Sequence, residues 1–316
     1  MARSRDLLGP YELHPDVHIL SSRDRPDAPL QRAGHADLVD TPGGETWMAY
    51  LCGRPLPNRG RCVMGRETAI QRMRWGEDGW LYTLDGTGVP TLEAEAGPNI
   101  AELHDFDAPD LPIDFQWLRT PEPEAIFSLK ARPGHLRLFG RETIGSLFTQ
   151  ALVARRQQHF CYSASTRLAF EPAHFQQAAG LVCYYNGSKF HYLNVSHDED
   201  VGRHIRVMSA LPDSPVADAF TAPIAIPEGP IELRVEVDYE RLRFAYRIEG
   251  EARWTWLAEQ FDASILSDEA TMPGLANFTG AFVGMACQDM SGAGRHADFD
   301  WFAYRERDYA ADPEAL

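Results

Sequence analysis

The sequence predicts an all-β protein in two parts, a propeller-blade-like sheet followed by a β-sandwich that begins near residue 125. Three observations carry this. Apolar and polar residues alternate with a period of two in segment after segment, helical periodicity is almost missing, and turns rich in glycine, proline and acids punctuate the chain.

Within the first hundred residues, two strand–turn–strand units stand out: ADLVDTPGGETWMAYLC and AIQRMRWGEDGWLYTL. Their turns fall at Pro42-Gly43-Gly44 and Gly76-Glu77-Asp78-Gly79, with Trp47, Trp75 and Trp80 beside them. Two such hairpins make one propeller blade. A single blade cannot bury both its faces, and the sequence holds no further copy of the unit. The run NIAELHDFDAPDLPIDFQWLRTPEPEA is rich in proline and acids and reads as a linker over 99–124. The expected domains are therefore 1–98 and 125–308, with a tail at 309–316.

The sandwich is read most directly from IELRVEVDYERLRFAYRIEG. Ile231, Leu233, Val235 and Val237 alternate with charges, and after the turn Leu242, Phe244, Tyr246 and Ile248 alternate with Arg243, Ala245, Arg247 and Glu249, as in a half-buried antiparallel hairpin. LRLFG, FCYSASTRLAF, AGLVCYYNG, KFHYLNVSH, IRVMSA, RWTWLAE, GAFVGMACQD and ADFDWFAYRE supply further short strands.

The chain has 316 residues, room for two domains with cores, and 44% apolar against 24% charged residues, as in ordinary globular proteins. A formal charge of −16 argues against nucleic acid or an anionic membrane as partner and is compatible with a neutral ligand such as a sugar. Runs of the roughly 18–20 apolar residues that a membrane span needs are missing. MARSRDLLGPYELHPD lacks an apolar core of signal-peptide length. The five cysteines show no CxxC or Cys/His spacing, so reduced thiols and a cytoplasmic location are expected. No phosphate loop, GxSxG or HExxH is present.

The run AGHADLV, followed by GRPLPNRGRCVMGRETAIQRMRWGEDGW, resembles the last propeller blade of family 43 β-xylosidases and α-L-arabinofuranosidases. FTGAFVGMACQDMSGAGRHADFDWFAYRE is similar to the end of their concanavalin A-like domain, and ARSRDLLGPYELHP to the stretch before their final blade. The resemblance implies the final-blade region of a five-bladed propeller, then a concanavalin A-like jelly-roll sandwich. It also implies exo-acting, inverting release of xylose or arabinofuranose from an oligosaccharide. That chemistry needs a carboxylate base and a carboxylic acid roughly 6.5–9.5 Å apart, with a third carboxylate tuning the acid. In the family these three lie on earlier blades, for which this sequence has no counterpart, so the catalytic residues are expected outside the chain and Met1 reads as an internal methionine of a longer enzyme.

The resemblance carries three residues over. Arg66, in GRETAIQ, would hydrogen-bond the sugar hydroxyls, a task suited to five fixed donors on a permanent charge. The bland alternative is an ion pair with Glu67. His35, in AGHADL, matches a histidine near the propeller axis that in some members touches a calcium ion shelled by water, in others is protonated. No cofactor is required, and calcium near His35 is the one metal the resemblance allows. One histidine is a poor calcium site by itself, and a satisfied buried histidine is the alternative. Phe278, in NFTGAF, is the expected sandwich residue against the sugar, with Phe282 as its rival and an ordinary core position as the alternative for both.

Asp298 and Asp300, at i and i+2 of one strand, and Asp37 with Asp40 read as structural or solvated acids rather than a catalytic pair. Trp254 and Trp256 read as a core or rim pair before a sugar platform. Three functions follow: an inactive C-terminal portion of a xylosidase prone to self-association, one half of a split glycosidase completed by another polypeptide, or a carbohydrate-binding sandwich.

Overall fold

The computed structural model describes residues 1–57, 59–92, 101–212, 219–270 and 277–308, and the expected tail at 309–316 lies outside them. The chain divides into two compact units, Met1–Pro98 and Asn99–Leu316. Among the described residues, helix is confined to two short 3-10 turns, Pro123–Ala125 and Ala263–Ile265.

In the first unit a small ribbon of β1 (Ala2–Arg3) and β2 (Glu12–Leu13) precedes a four-stranded antiparallel sheet. That sheet runs β3 (Gln31–Asp40), β4 (Thr46–Gly53), β5 (Glu67–Trp75) and β6 (Leu81–Thr83) in sequence order, one blade. Alternation along β4 dictates its burial. Thr46, Met48, Tyr50 and Cys52 point into a core with Leu20, Leu30, Met73 and Leu81, while Trp47, Ala49 and Leu51 line the other, half-buried face. Strand β3 reaches back beyond the expected start through two register shifts, at Gln31/Gly34 and Gly34/Asp37. Arg32 and His35 take left-handed φ values of 58° and 49° there.

The second unit is a sandwich of two eight-stranded sheets. Its strands are β7 (Ala101–His104), β8 (Phe115–Trp117), β9 (Phe127–Ser128), β10 (Leu136–Phe139), β11 (Ala151–Arg156), β12 (Cys161–Ala169), β13 (Gln177–Asn186) and β14 (Lys189–Asp198). They continue with β15 (Gly202–Ala210), β16 (Ala219–Phe220), β17 (Ile224–Ala225), β18 (Ile231–Asp238), β19 (Arg241–Ile248), β20 (Thr255–Asp262), β21 (Phe282–Asp289) and β22 (His296–Glu306). One sheet is ordered β20-β19-β18-β12-β22-β10-β9, with β7 also on β22. The other is ordered β16-β15-β14-β13-β21-β11-β8, with β17 on β15. The core between them takes Leu233, Val235, Phe244, Phe299 and Phe302 from the first sheet and Leu181, Cys183, Leu193, Val207 and Met285 from the second. Each such side chain contributes roughly 1.5–3 kcal/mol on burial. The second sheet is buried on its other face as well, by Val182, Tyr184, Phe190, Tyr192 and Ile144, which is why AGLVCYY reads as an unbroken apolar run.

The segment read as a linker corrects the sequence expectation. Of the expected linker at 99–124, residues 99 and 100 lie outside the described residues, and 101–124 include β7, which pairs with β22, and β8, which pairs with β11, so this stretch belongs to the sandwich and crosses from one sheet to the other. Its strands have four and three residues, too short for alternation to show through the prolines and acids around them.

Candidate functional site

Arg66 sits immediately before β5, and the chain reaches it through a tightly packed turn. Leu56, Cys62, Val63 and Met64 are buried, and Gly65 has φ of 67°. A Cβ on Gly53 would lie 2.9 Å from Cys62 Sγ and 3.4 Å from Gly65 O, so this turn presses on the end of β4 and only glycine permits it. Next in the chain, Glu67 takes a forked ion pair: Arg54 Nε donates to both carboxylate oxygens at 3.1 and 3.0 Å, and Nη2 donates to Oε1 at 2.8 Å. This raises the Arg54 pKa, and burial, with Glu67 adding to it, pushes the Cys52 thiol up to about 11. The Glu67 carboxylate is thus held by Arg54, while Arg66 is exposed at the head of the strand.

His35 is exposed on the irregular stretch of β3, which departs from a buried histidine. Among the described residues, three His, Cys, Asp or Glu ligands do not gather around it. One imidazole nitrogen does not make a calcium site, since calcium takes six to eight oxygens, so the donor set here does not hold that ion by itself.

Phe278 lies in the second unit, just before β21, and is 59% exposed, whereas Phe282 lies in β21 beneath the Arg156 guanidinium, 5.1 Å from its ring centroid. The loop carrying Phe278 is pinned on both sides. Tyr185 Oη accepts from Thr279 N at 3.1 Å, Arg156 Nη1 donates to Thr279 O at 2.8 Å, and Asn186 Nδ2 donates to Asn277 Oδ1 at 3.1 Å. Tyr185 donates in turn to Asp268 at 2.5 Å, and burial followed by that carboxylate drives its pKa well up. Lys189, 1% exposed, donates to Ser267 O at 2.6 Å with its Nζ 3.6 Å from the Tyr185 ring centroid. Sequence reasoning missed Tyr185, Asp268 and Lys189. A lysine opening a strand reads as a surface residue, and nothing local marks the carbonyl it reaches across the fold.

The acids singled out from the sequence are engaged structurally. Asp298 is buried, not solvated, and accepts from Arg137 Nε and Nη2 at 2.6 and 2.8 Å and from Arg132 at 3.0 Å. Burial raises its pKa, but the two guanidinium groups overcome that and hold it below the usual carboxylate range. Asp300 pairs with Arg167 at 2.9 Å, Asp40 accepts from Thr46 Oγ1 at 2.6 Å, and Asp37 accepts from Leu38 N at 2.8 Å. The tryptophans are a rim pair on the outer face of the first sandwich sheet. Arg234 and Arg247 approach Trp254 at 5.4 and 4.7 Å, and Arg243 lies 4.6 Å from Trp256. A cavity of about 350 Å³ on the sandwich is lined by Arg167, Glu232, Arg247, Glu249 and Trp301. Its charges are spent on one another, Arg247 with Glu232 at 2.5 Å and Arg167 with Glu249 and Asp300. None of the five cysteines, all among the described residues, is in a disulfide. Burial raises Cys52, Cys161, Cys183 and Cys287, which makes them inert thiols rather than nucleophiles.

A propeller-type blade followed by a sandwich of two eight-stranded sheets defines the class: a blade joined to a concanavalin A-like domain. Residues 104–305 match the beta xylosidase C-terminal concanavalin A-like domain, and residues 1–81 match the glycosyl hydrolases family 43 domain. The chain belongs to glycosyl hydrolases family 43 and carries that C-terminal concanavalin A-like domain. It is 43% identical over 322 residues to xylosidase/arabinosidase 43B of Humicola insolens, covering 98% of this chain and 59% of that protein. It is 40% identical over 326 residues to a beta-xylosidase of Bacillus subtilis, covering 97% of this chain and 60% of that protein. The crystal structure of a xylan beta-1,4-xylosidase from Bacillus halodurans superposes with a TM-score of 0.89 at 40% identity, over 96% of this chain and 59% of that one. The chain thus spans about three fifths of the length of these relatives.

Proposed function

We propose that this chain supplies one blade and the sandwich of an exo-acting, inverting β-xylosidase-type glycosidase, and that it does not hydrolyse glycosides by itself. Its ligand is a xylose- or arabinose-containing oligosaccharide. Arg66 binds the sugar hydroxyls and Phe278 offers an aromatic face on a loop braced by Tyr185. One observation carries this reading: Asp37, Asp40, Asp298 and Asp300, the acids the sequence offers as pairs, are committed to arginines, a hydroxyl or backbone, while about two fifths of the relatives' own length lies outside the match. An inverting pair must hold a water between two carboxyl groups roughly 6.5–9.5 Å apart, and carboxylates locked into structural ion pairs cannot do so. The base and acid then come from blades beyond this chain. A second copy cannot supply what every copy lacks. The mostly buried thiols, none of them in a disulfide, support a reduced, cytoplasmic setting, and no helix among the described residues is long and apolar enough to cross a membrane.

The test is hydrolysis of p-nitrophenyl β-D-xylopyranoside and α-L-arabinofuranoside by the purified chain, beside Arg66→Ala and with or without a fragment carrying the other blades. No turnover alone, with turnover on adding the fragment that Arg66→Ala then removes, is the expected result. Turnover by the chain alone that Arg66→Ala abolishes overturns the claim that its carboxylates lie elsewhere.

A further inference from the structure

We propose that Glu102, His104 and Asp114 form a binding site for a divalent cation of the zinc type, which ties down the segment crossing between the two sandwich sheets. One ligand atom from each residue lies within 4.8 Å of the others, and all three come from β7 and the turn that leads to β8. In a tetrahedral zinc site with bonds near 2.0–2.1 Å, ligand atoms stand about 3.3 Å apart, so small side-chain rotations close the set. Strand geometry preorganises two of them. Glu102 and His104 are i and i+2 on β7 and share its half-buried face, while Ala101 and Leu103 face out. The His104 ring is fixed edge-on against Phe115, with centroids 5.1 Å apart and planes at 81°.

A second observation points independently to a ligand. His104 Nε2 is buried and has no hydrogen-bond partner, and the nearest carboxylate oxygen, Glu102 Oε2, is 3.7 Å away, too far for a hydrogen bond. Buried polar atoms of this kind are rare because each costs roughly 1–3 kcal/mol, and an ion bridging that gap satisfies Nε2 and both carboxylates at once. One imidazole nitrogen with two carboxylate oxygens suits zinc and its first-row neighbours better than calcium or magnesium. Arg155, 1% exposed, also reaches Glu102 Oε2 and orients it, offsetting one of the two negative charges. The three ligands leave a position for water. Because β7 pairs with β22 in one sheet and β8 with β11 in the other, an ion here fastens the crossing to both.

The experiment is isothermal titration of zinc chloride into the chelator-treated 316-residue chain, repeated with His104→Ala, Asp114→Asn and His35→Ala, each checked for fold by circular dichroism. One saturable site is expected, weakened at least about tenfold by either of the first two substitutions and unchanged by the third. Asp114→Asn keeps the test decisive if His104→Ala fails to fold. No saturable uptake, uptake that the first two variants retain, or uptake that is lost with His35 overturns the proposal.

Discussion

Asp298 shows what a single buried carboxylate does in this sandwich. It neutralises two arginines from the other side of the sheet pairing, and removing it strands Arg137, which is only 20% exposed. Asp298→Ala is expected to cost about 3 kcal/mol, because breaking one partner of a buried pair leaves an uncompensated charge; urea unfolding at neutral pH measures it. His191 gives a second residue-scale expectation. The ring is buried, with Nε2 3.2 Å from the carbonyl of Asp262 and Nδ1 2.8 Å from Ser209 Oγ. A carbonyl only accepts, so Nε2 carries the proton and Nδ1 accepts from the serine hydroxyl, which fully satisfies the neutral imidazole. Burial pushes its pKa down from 6.5 to about 4. Below pH 6.5 the unfolded chain takes up a proton that the native chain refuses. Stability is therefore complete above that pH and falls by roughly 3 kcal/mol as the pH drops through the native value. Urea midpoints from pH 7 to 4 should show this slope in the native sequence and a flatter one in His191→Gln. Residues of this kind are poorly legible in a sequence. Their partners are backbone carbonyls and distant arginines, whereas Arg66 could be singled out because GRETAIQ is a long run that matches as a unit.

Elements were legible where one face is wet. The hairpin of β18 and β19 alternates as predicted because its outer face carries a ladder of arginines and glutamates, such as Arg247 with Glu232 and Arg234 with Glu236. The strands β7 and β8 were not, since a three- or four-residue strand among prolines has no period to detect. The sheet interior sets a sharp constraint at Gly284, where a Cβ would lie 2.3 Å from Val153 O and 2.4 Å from Ala154 Cα in the paired strand β11. Neither backbone can move without breaking the ladder, so Gly284→Ala is expected to lose about 3 kcal/mol, at the upper end for overpacking, read from its urea midpoint. The blade makes the opposite point. Its outward face exposes Val39 and Ile70 on strands that flank Trp47 and Ala49 of β4, the kind of surface that a neighbouring blade covers in a propeller. The purified chain is expected to self-associate through it, and Val39→Thr with Ile70→Lys to shift sedimentation toward the monomer.

At the scale of the molecule, the cores are unequal and separate. The blade's cluster of fully buried side chains is drawn from residues between Leu20 and Leu81, and the two sandwich clusters from residues between Phe106 and Tyr304, with none shared. A core that closes on itself should fold on its own, and one that depends on missing neighbours should not. The sandwich cluster joins both of its sheets, and its crossing segment is tied by ladder hydrogen bonds to each. Among the described residues the blade sheet has one fully packed face and ends on β3 and β6, so its own burial falls short of what ordering its backbone costs, at roughly 1–2 kcal/mol per residue. A chain of residues 101–308 is accordingly expected to unfold in one cooperative thermal transition with β-type circular dichroism. A chain of residues 1–92 is expected to show no cooperative transition until blades from outside are added. If 1–92 alone melts cooperatively, the blade is a self-sufficient domain, and the view that its exposed face awaits a partner fails with it. If 101–308 fails to fold while the whole chain does, the sandwich draws on the first unit for stability, and the division at Pro98/Asn99 marks a boundary of compactness rather than of folding.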